Sequence, residues 1–75
     1  MATNTDTSRT IAALVSAALR EAGIPQRDAA SRTGIPITTL SRRLTGNSPF
    51  NTDELDLIAD LLGVTVSDLI AQAAA

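Results

Sequence analysis

Apolar residues recur at intervals of three and four along much of the chain, which is the spacing of helices that bury one face. The first such stretch covers residues 7–22, with Thr7 or Ser8 as the N-cap and Gly23 as the stop. No stretch alternates apolar and polar residues over a useful length. The pattern therefore predicts an all-α protein.

Two short helices are expected next. Proline is tolerated in a first turn, so one helix is predicted over residues 25–33, and Gly34 can take the left-handed conformation that ends it. The other is predicted over residues 36–45, with Leu40 on its buried side and Gly46 at its end. Because neither is long enough to be stable alone, we expect the two to fold as a unit around a sharp turn at Gly34.

Capping residues predict the last two helices. Asn51 with Glu54 three positions later is the sequence pattern of a capping box, and Gly63 ends the helix that this box opens. Thr65 is the expected cap of a fifth helix, with Asp68 three residues further on.

The domain organisation follows from these elements and from the length of the chain. Residues 7–75 are expected to form one compact five-helix bundle, and the polar residues 1–6 a disordered tail. Seventy-five residues support a single core, and a core of this size rarely supplies more than about 3–5 kcal/mol.

The composition argues against most kinds of chemistry. The chain has no cysteine and no histidine, which removes the commonest metal ligands and the commonest general base. Its carboxylates lie near no nucleophile or Gly-rich phosphate loop, so we expect no enzyme, no catalytic residue, no metal and no cofactor.

The N-terminus lacks the pattern of a secretion signal, and no apolar run reaches the length of a membrane span. A cytoplasmic protein without a membrane partner is therefore expected.

Charge is distributed unevenly although the net charge is only −2. Residues 1–50 carry all six arginines against three acidic residues, a charge of +3, whereas residues 51–75 carry five acidic residues and no base, a charge of −5. Such a molecule can present a basic face to phosphate. An ordinary mixed surface is the alternative explanation.

Residues 26–46 resemble the helix-turn-helix of phage repressors, Cro proteins and their bacterial relatives. The resemblance extends from about residue 8 to residue 70, and residues 39–46 (TLSRRLTG) in particular are similar to small regulators from phages of actinobacteria. It implies a bundle of the lambda-repressor-like DNA-binding type, in which the second and third helices form the helix-turn-helix.

The resemblance also implies double-stranded DNA as the partner, with the third helix in the major groove. Arg42 is then the candidate for a bidentate bond to guanine. Contacts to bases are expected from the exposed side of that helix, at Ile37, Thr38, Ser41 and Arg42. Contacts to phosphates are expected from its flanks and from neighbouring elements, at Gln26, Arg27, Thr39, Arg43, Thr45, Gly46 and Asn47.

Arg43 departs from the family pattern, which often has an aliphatic residue at this position. Either the third helix is slightly rotated, or the Arg43 side chain passes the edge of the core to reach a phosphate, and we predict the second. By contrast, Ala30, Ile35 and Leu40 are expected to fill the core between the two short helices. Arg32 is expected to be only a solubilising charge.

Two copies on adjacent half-sites normally provide useful specificity, so a homodimer on DNA is expected. Leu57, Leu61 and Ile70 are candidates for an apolar dimer patch, although a broad buried face explains them equally well.

The function predicted from these patterns is that of a transcriptional regulator, namely a phage or prophage repressor of the immunity-repressor or Cro-like kind. One alternative is a protein-interaction module of the antitoxin or anti-regulator type, because one fold serves several functions. Another is a phage excision or DNA-architecture factor. Arg42 and Arg43 on the third helix argue against the interaction module, since such surfaces favour aromatic and aliphatic residues.

Overall fold

The computed structural model describes the backbone of residues 3–74 and the side chains of residues 8–71. Within these residues the secondary structure consists of five α-helices without a strand, so the predicted all-α bundle is confirmed. The helices are α1 (Thr3–Glu21), α2 (Gln26–Thr33), α3 (Ile37–Leu44), α4 (Thr52–Leu62) and α5 (Val66–Ala74).

Helix α1 begins earlier than the sequence indicates. The backbone of residues 3–6 is helical, where the sequence predicts a disordered tail. No proline or glycine precedes Ser8, so nothing in the chain stops the helix at the expected cap. The rest of the predicted tail, residues 1 and 2, lies outside the described residues.

The predicted caps of α4 and α5 are confirmed. The Asn51 side chain accepts a hydrogen bond from the Glu54 amide at 2.7 Å, and the Glu54 carboxylate accepts one from the Asn51 amide at 3.0 Å. At the start of α5 the Thr65 hydroxyl accepts from the Asp68 amide at 3.0 Å. These bonds satisfy amides that lack a partner within the helix, and they fix where each helix begins.

Each helix contributes apolar residues to one hydrophobic core. The predicted core positions Ala30, Ile35 and Leu40 are buried, whereas Ala22, at the end of the expected α1 stripe, is exposed. The buried residues of the core are Val15, Leu19, Ala29, Ala30, Ile35, Leu40, Leu55, Ile58, Ala59 and Leu69. This core holds α3 against α2 and α1.

The turn between α2 and α3 is closed by Gly34 and Thr33. Gly34 has φ = +82°, and its amide donates to the Ala30 carbonyl at 2.9 Å. The Thr33 hydroxyl donates to the Ala29 carbonyl at 2.7 Å and accepts from the Ile35 amide at 3.3 Å. The Gly34 turn and the Thr33 hydrogen bonds set the direction in which α3 leaves α2.

Candidate nucleic-acid interface

Helix α3 leaves one continuous face uncovered by the rest of the described chain. Ile37 is 46% exposed, Thr38 and Arg42 are exposed, and Ser41 is partly buried. At 3.6 residues per turn these four positions cover an arc of about 140°. Leu40 is fully buried on the other side of the helix. The structure therefore brings all four predicted base-contact residues together on one open face.

The N-terminus of α2 is open as well. Its N-cap is Pro25, which provides no side-chain hydrogen bond, so the amides of the first turn are left for an external acceptor. Gln26 and Arg27 are exposed beside these amides, and the helix dipole makes this end attractive to anions. Asp28, in the same turn, opposes this attraction in part.

In the loop after α3, the groups that can bind a phosphate are side chains and not backbone amides. The amides of Thr45, Gly46 and Asn47 donate to carbonyls of the last turn of α3, at 3.1–3.2 Å. The Thr45 hydroxyl donates to the Arg42 carbonyl at 3.1 Å. Asn47 has an exposed side chain with no partner in the described part of the chain. Of the three loop residues predicted to contact phosphate, Asn47 is the one with an open donor.

Arg43 passes the edge of the core, and its guanidinium bonds to groups of the protein itself. Its Nε donates to Glu54 Oε1 at 2.8 Å and its Nη2 to Glu54 Oε2 at 3.2 Å. Its Nη1 donates to the Ser48 hydroxyl at 2.8 Å. Three of the five N–H donors are used in this way, which leaves two for the predicted phosphate contact. Thr39, on the same side of α3, is partly buried.

The Glu54 carboxylate connects α3 to α4. It accepts from Arg43 on α3 and from the Asn51 amide at the start of α4, and its side chain is only 12% exposed. The bond from Arg43 lowers the pKa of Glu54, burial opposes this shift, and the bond from Asn51 lowers it further. The same pair raises the pKa of Arg43. The sequence identified Glu54 as a cap, but its bond to α3 depends on the relative placement of two helices.

We expect Glu54→Gln to destabilise the fold by about 1–3 kcal/mol at neutral pH, because it weakens charged hydrogen bonds to Arg43 and Asn51. The pKa of Glu54 is lowered in the folded state, so the stability that its ionised carboxylate supplies is fully present above pH 4.5, the ordinary pKa of the group. This stability is lost as the pH falls through the lower pKa of the folded state. Urea unfolding at several pH values measures the difference from wild type, which should shrink in acid.

Asp53→Asn is the matched control for this experiment, because Asp53 is an exposed acid in the same helical turn. It should change the free energy of unfolding by less than about 1 kcal/mol. Equal effects of the two substitutions would show that Glu54 acts only through the helix dipole.

Arg9 on α1 lies against the loop that follows α3. A Cβ built on Gly46 would stand 3.1 Å from Arg9 Cγ and 3.4 Å from Arg9 Cα, and Gly46 has φ = +81°. The absent side chain of Gly46 therefore lets α1 approach the loop closely. No local signal in the sequence identifies this contact, because it joins residues 37 positions apart.

We expect Gly46→Ala to cost more stability than Gly34→Ala. Both glycines have φ near +80°, so each substitution should cost about 1–2 kcal/mol for the left-handed conformation. A Cβ at Gly34 would meet no atom within 4 Å, whereas at Gly46 it would press on Arg9 and add about 1 kcal/mol. Urea unfolding of the two variants gives the difference, and equal costs would contradict the Arg9 contact.

A surface groove runs between the end of α1, the turn that follows it and Leu44 of α3. Arg20 and Gln26 both line this groove. Arg20 is exposed and lies in the last turn of α1. The sequence predicts a phosphate contact for Gln26 but assigns no role to Arg20, which the fold brings beside it.

The three residues of the predicted dimer patch lie in different environments. Leu57 is 43% exposed and Ile70 39% exposed, whereas Leu61 is partly buried and packs against the core. Leu57 lines an acidic groove together with Asp53, Asp56, Asp60 and the start of α5. Leu57 and Ile70 are therefore the two that offer apolar surface.

Two short helices joined by a sharp turn, with the second helix exposed and the N-terminus of the first open beside it, are typical of helix-turn-helix DNA-binding domains. The chain belongs to the helix-turn-helix family, whose family model (HTH_3) matches residues 15–69. This membership supports DNA binding in the regulation of transcription.

Comparison of structures gives the same fold. The crystal structure of the clp gene regulator ClgR from Corynebacterium glutamicum matches with a TM-score of 0.83, covering 89% of this chain and 71% of that chain. The sequences are 21% identical, so this likeness concerns the fold. No curated protein sequence matches the chain.

In the part of the chain that the structure describes, no group of three or more acidic residues is arranged so that it could hold a metal ion. Within the same residues, no helix combines the length and the apolar character needed to cross a membrane.

Proposed function

We propose that the chain binds double-stranded DNA sequence-specifically, with α3 in the major groove and its open face against the base edges. One observation carries this proposal. Ile37, a large apolar residue, is almost half exposed at the leading turn of α3, on the same face as Thr38 and Arg42. An apolar contact to thymine methyl groups beside polar contacts to base edges explains this combination.

The flanks of α3 provide the phosphate contacts of this proposal. The open N-terminus of α2 with Gln26 and Arg27 lies before it in the chain, and the loop with Asn47 lies after it. Arg43 and Thr39 remain proposed contacts of this kind, and Thr45 becomes one when its hydroxyl exchanges the Arg42 carbonyl for a phosphate oxygen. Gly46 contributes by allowing the loop to pack closely. Phosphate contacts position the protein, and the contacts from α3 specify the sequence.

The proposed biological role is that of a phage or prophage repressor acting in the cytoplasm of a bacterial host. The similarity of residues 39–46 to regulators of actinobacterial phages supports this role.

We further propose a homodimer on a palindromic or repeated operator. Contact through Ile70 on α5 suits such a dimer better than contact through Leu57, because Asp56 and Asp60 beside Leu57 would face their own copies.

Selection of bound sequences from a random pool of DNA duplexes tests the proposal. A defined motif should emerge, and two half-sites about 34 Å apart would indicate the dimer. A chain that binds no duplex at micromolar concentration in dilute buffer would refute DNA binding. Retention of all duplexes alike would refute base recognition.

A further inference from the structure

Two arginines of α1 remain unassigned by the proposed function. Arg9 and Arg20 are both exposed, and neither guanidinium forms an ion pair or hydrogen bond in the described part of the chain. Arg43, in contrast, is bonded to Glu54 and Ser48. Since an unpaired arginine is the one that can displace counterions from a phosphate without losing a protein partner, these two are the stronger candidates.

Each of the two arginines adjoins an element that flanks α3. Arg9 packs on Gly46, next to the exposed Asn47 in the loop after α3. Arg20 lines the same groove as Gln26, which begins α2. The fold thus adds one cation to each of the two proposed phosphate-binding places.

The spacing of the two arginines fits the backbone of a duplex. They are eleven residues apart on α1, which corresponds to about 16 Å along the helix and about 20° around it, so they share one face. Between them this face holds Ala13 and Ser16, whose short side chains permit close approach. Because Arg9 adjoins the loop after α3 and Arg20 adjoins the start of α2, a separation of this size suits contacts to the two strands that border a major groove about 12 Å wide.

We infer that Arg9 and Arg20 bind DNA phosphates on opposite borders of the groove that α3 enters. The inference rests on the proposed function and extends it to α1. In it, α1 serves as a second phosphate-binding element beside the ends of α2 and α3. The sequence motif alone does not include either residue.

The salt dependence of binding tests this inference. Each phosphate contact contributes about −0.9 to the slope of log K against log salt. Arg9→Ala and Arg20→Ala should each reduce the steepness by about 0.9, and the double variant by about 1.8. When the salt concentration is raised from 50 to 200 mM, each single variant should therefore lose about 3- to 4-fold less affinity than wild type. All duplexes should be affected alike, and Arg9→Lys, which keeps the charge, should retain the slope.

Arg32→Ala is the matched control, since it removes an equal charge from an exposed residue at the far end of α2. Its slope should equal that of wild type. Ethylation of individual phosphates provides a second measurement, in which interference should disappear at different phosphates for Arg9→Ala and Arg20→Ala. Thermal unfolding by circular dichroism confirms that each variant is folded.

The inference is overturned if Arg9→Ala and Arg20→Ala keep the wild-type slope, or if Arg32→Ala lowers it equally. In both cases the proposed function still stands when the wild-type chain selects a defined motif. The proposed function itself fails if that chain selects none, so the two failures are distinguishable.

Discussion

Replacing Leu40 by alanine is expected to leave a large fraction of the molecules unfolded. Leu40 is fully buried and is the one buried residue of α3. Removing such a side chain costs about 2–5 kcal/mol, because apolar contacts are lost and a cavity remains. A core of this size supplies about 3–5 kcal/mol in total, so little or no stability should remain. Thermal and urea unfolding followed by circular dichroism measure the effect.

Ile37→Ala is the control on the same helix. Ile37 is an apolar residue too, but it is almost half exposed, so its removal should change stability by less than about 0.5 kcal/mol. It should nevertheless reduce DNA affinity if its methyl groups contact bases. If both variants unfold at the wild-type midpoint, the assignment of the buried side of α3 is wrong.

Replacing Arg42 by alanine should relax the preference of the protein at one base pair by about 1–3 kcal/mol. This corresponds to about a 5- to 150-fold loss of discrimination. The reason is that Arg42 is exposed on the open face of α3, one turn after Thr38, where a guanidinium can bond both acceptors of a guanine edge. Stability should be unaffected. Dissociation constants for the selected site and its single-base variants give the measurement.

Arg42→Lys separates base recognition from charge. Lysine keeps the positive charge but lacks the planar fork, so the salt slope should persist while the preference at that base pair is weakened. If Arg42→Ala and Arg42→Lys both keep the wild-type preference at every base pair, Arg42 faces solvent or contacts a phosphate instead of a base.

Apart from the start of α1, the helices and their ends are predictable from the sequence because their signals are local. Gly34 and Gly46 mark turns, and Asn51 with Glu54 marks a cap, all within a few residues of the structure that they determine. The open face of α3 followed from the resemblance to helix-turn-helix regulators, which implies base contacts on this helix, and the burial of Leu40 on the other side agrees with it.

The remaining features depend on the relative placement of helices. The partner of Arg43 is Glu54, eleven residues away on another helix, and the neighbour of Arg9 is Gly46. Neither distance can be obtained from spacing along one helix. The early start of α1 is not predictable for a different reason, since the sequence contains neither a signal that requires a helix before Ser8 nor one that forbids it.

The separation of charge between the two parts of the chain has a kinetic consequence. Helices α4 and α5 carry acidic residues and no base, whereas the exposed arginines lie on α1, α2 and α3, at Arg9, Arg20, Arg27, Arg32 and Arg42. The molecule is thus an electric dipole that turns as it diffuses towards a polyanion, and encounters with the acidic end first are repelled. A protein with a net negative charge can in this way reach DNA quickly in the correct orientation and still release unrelated sites readily.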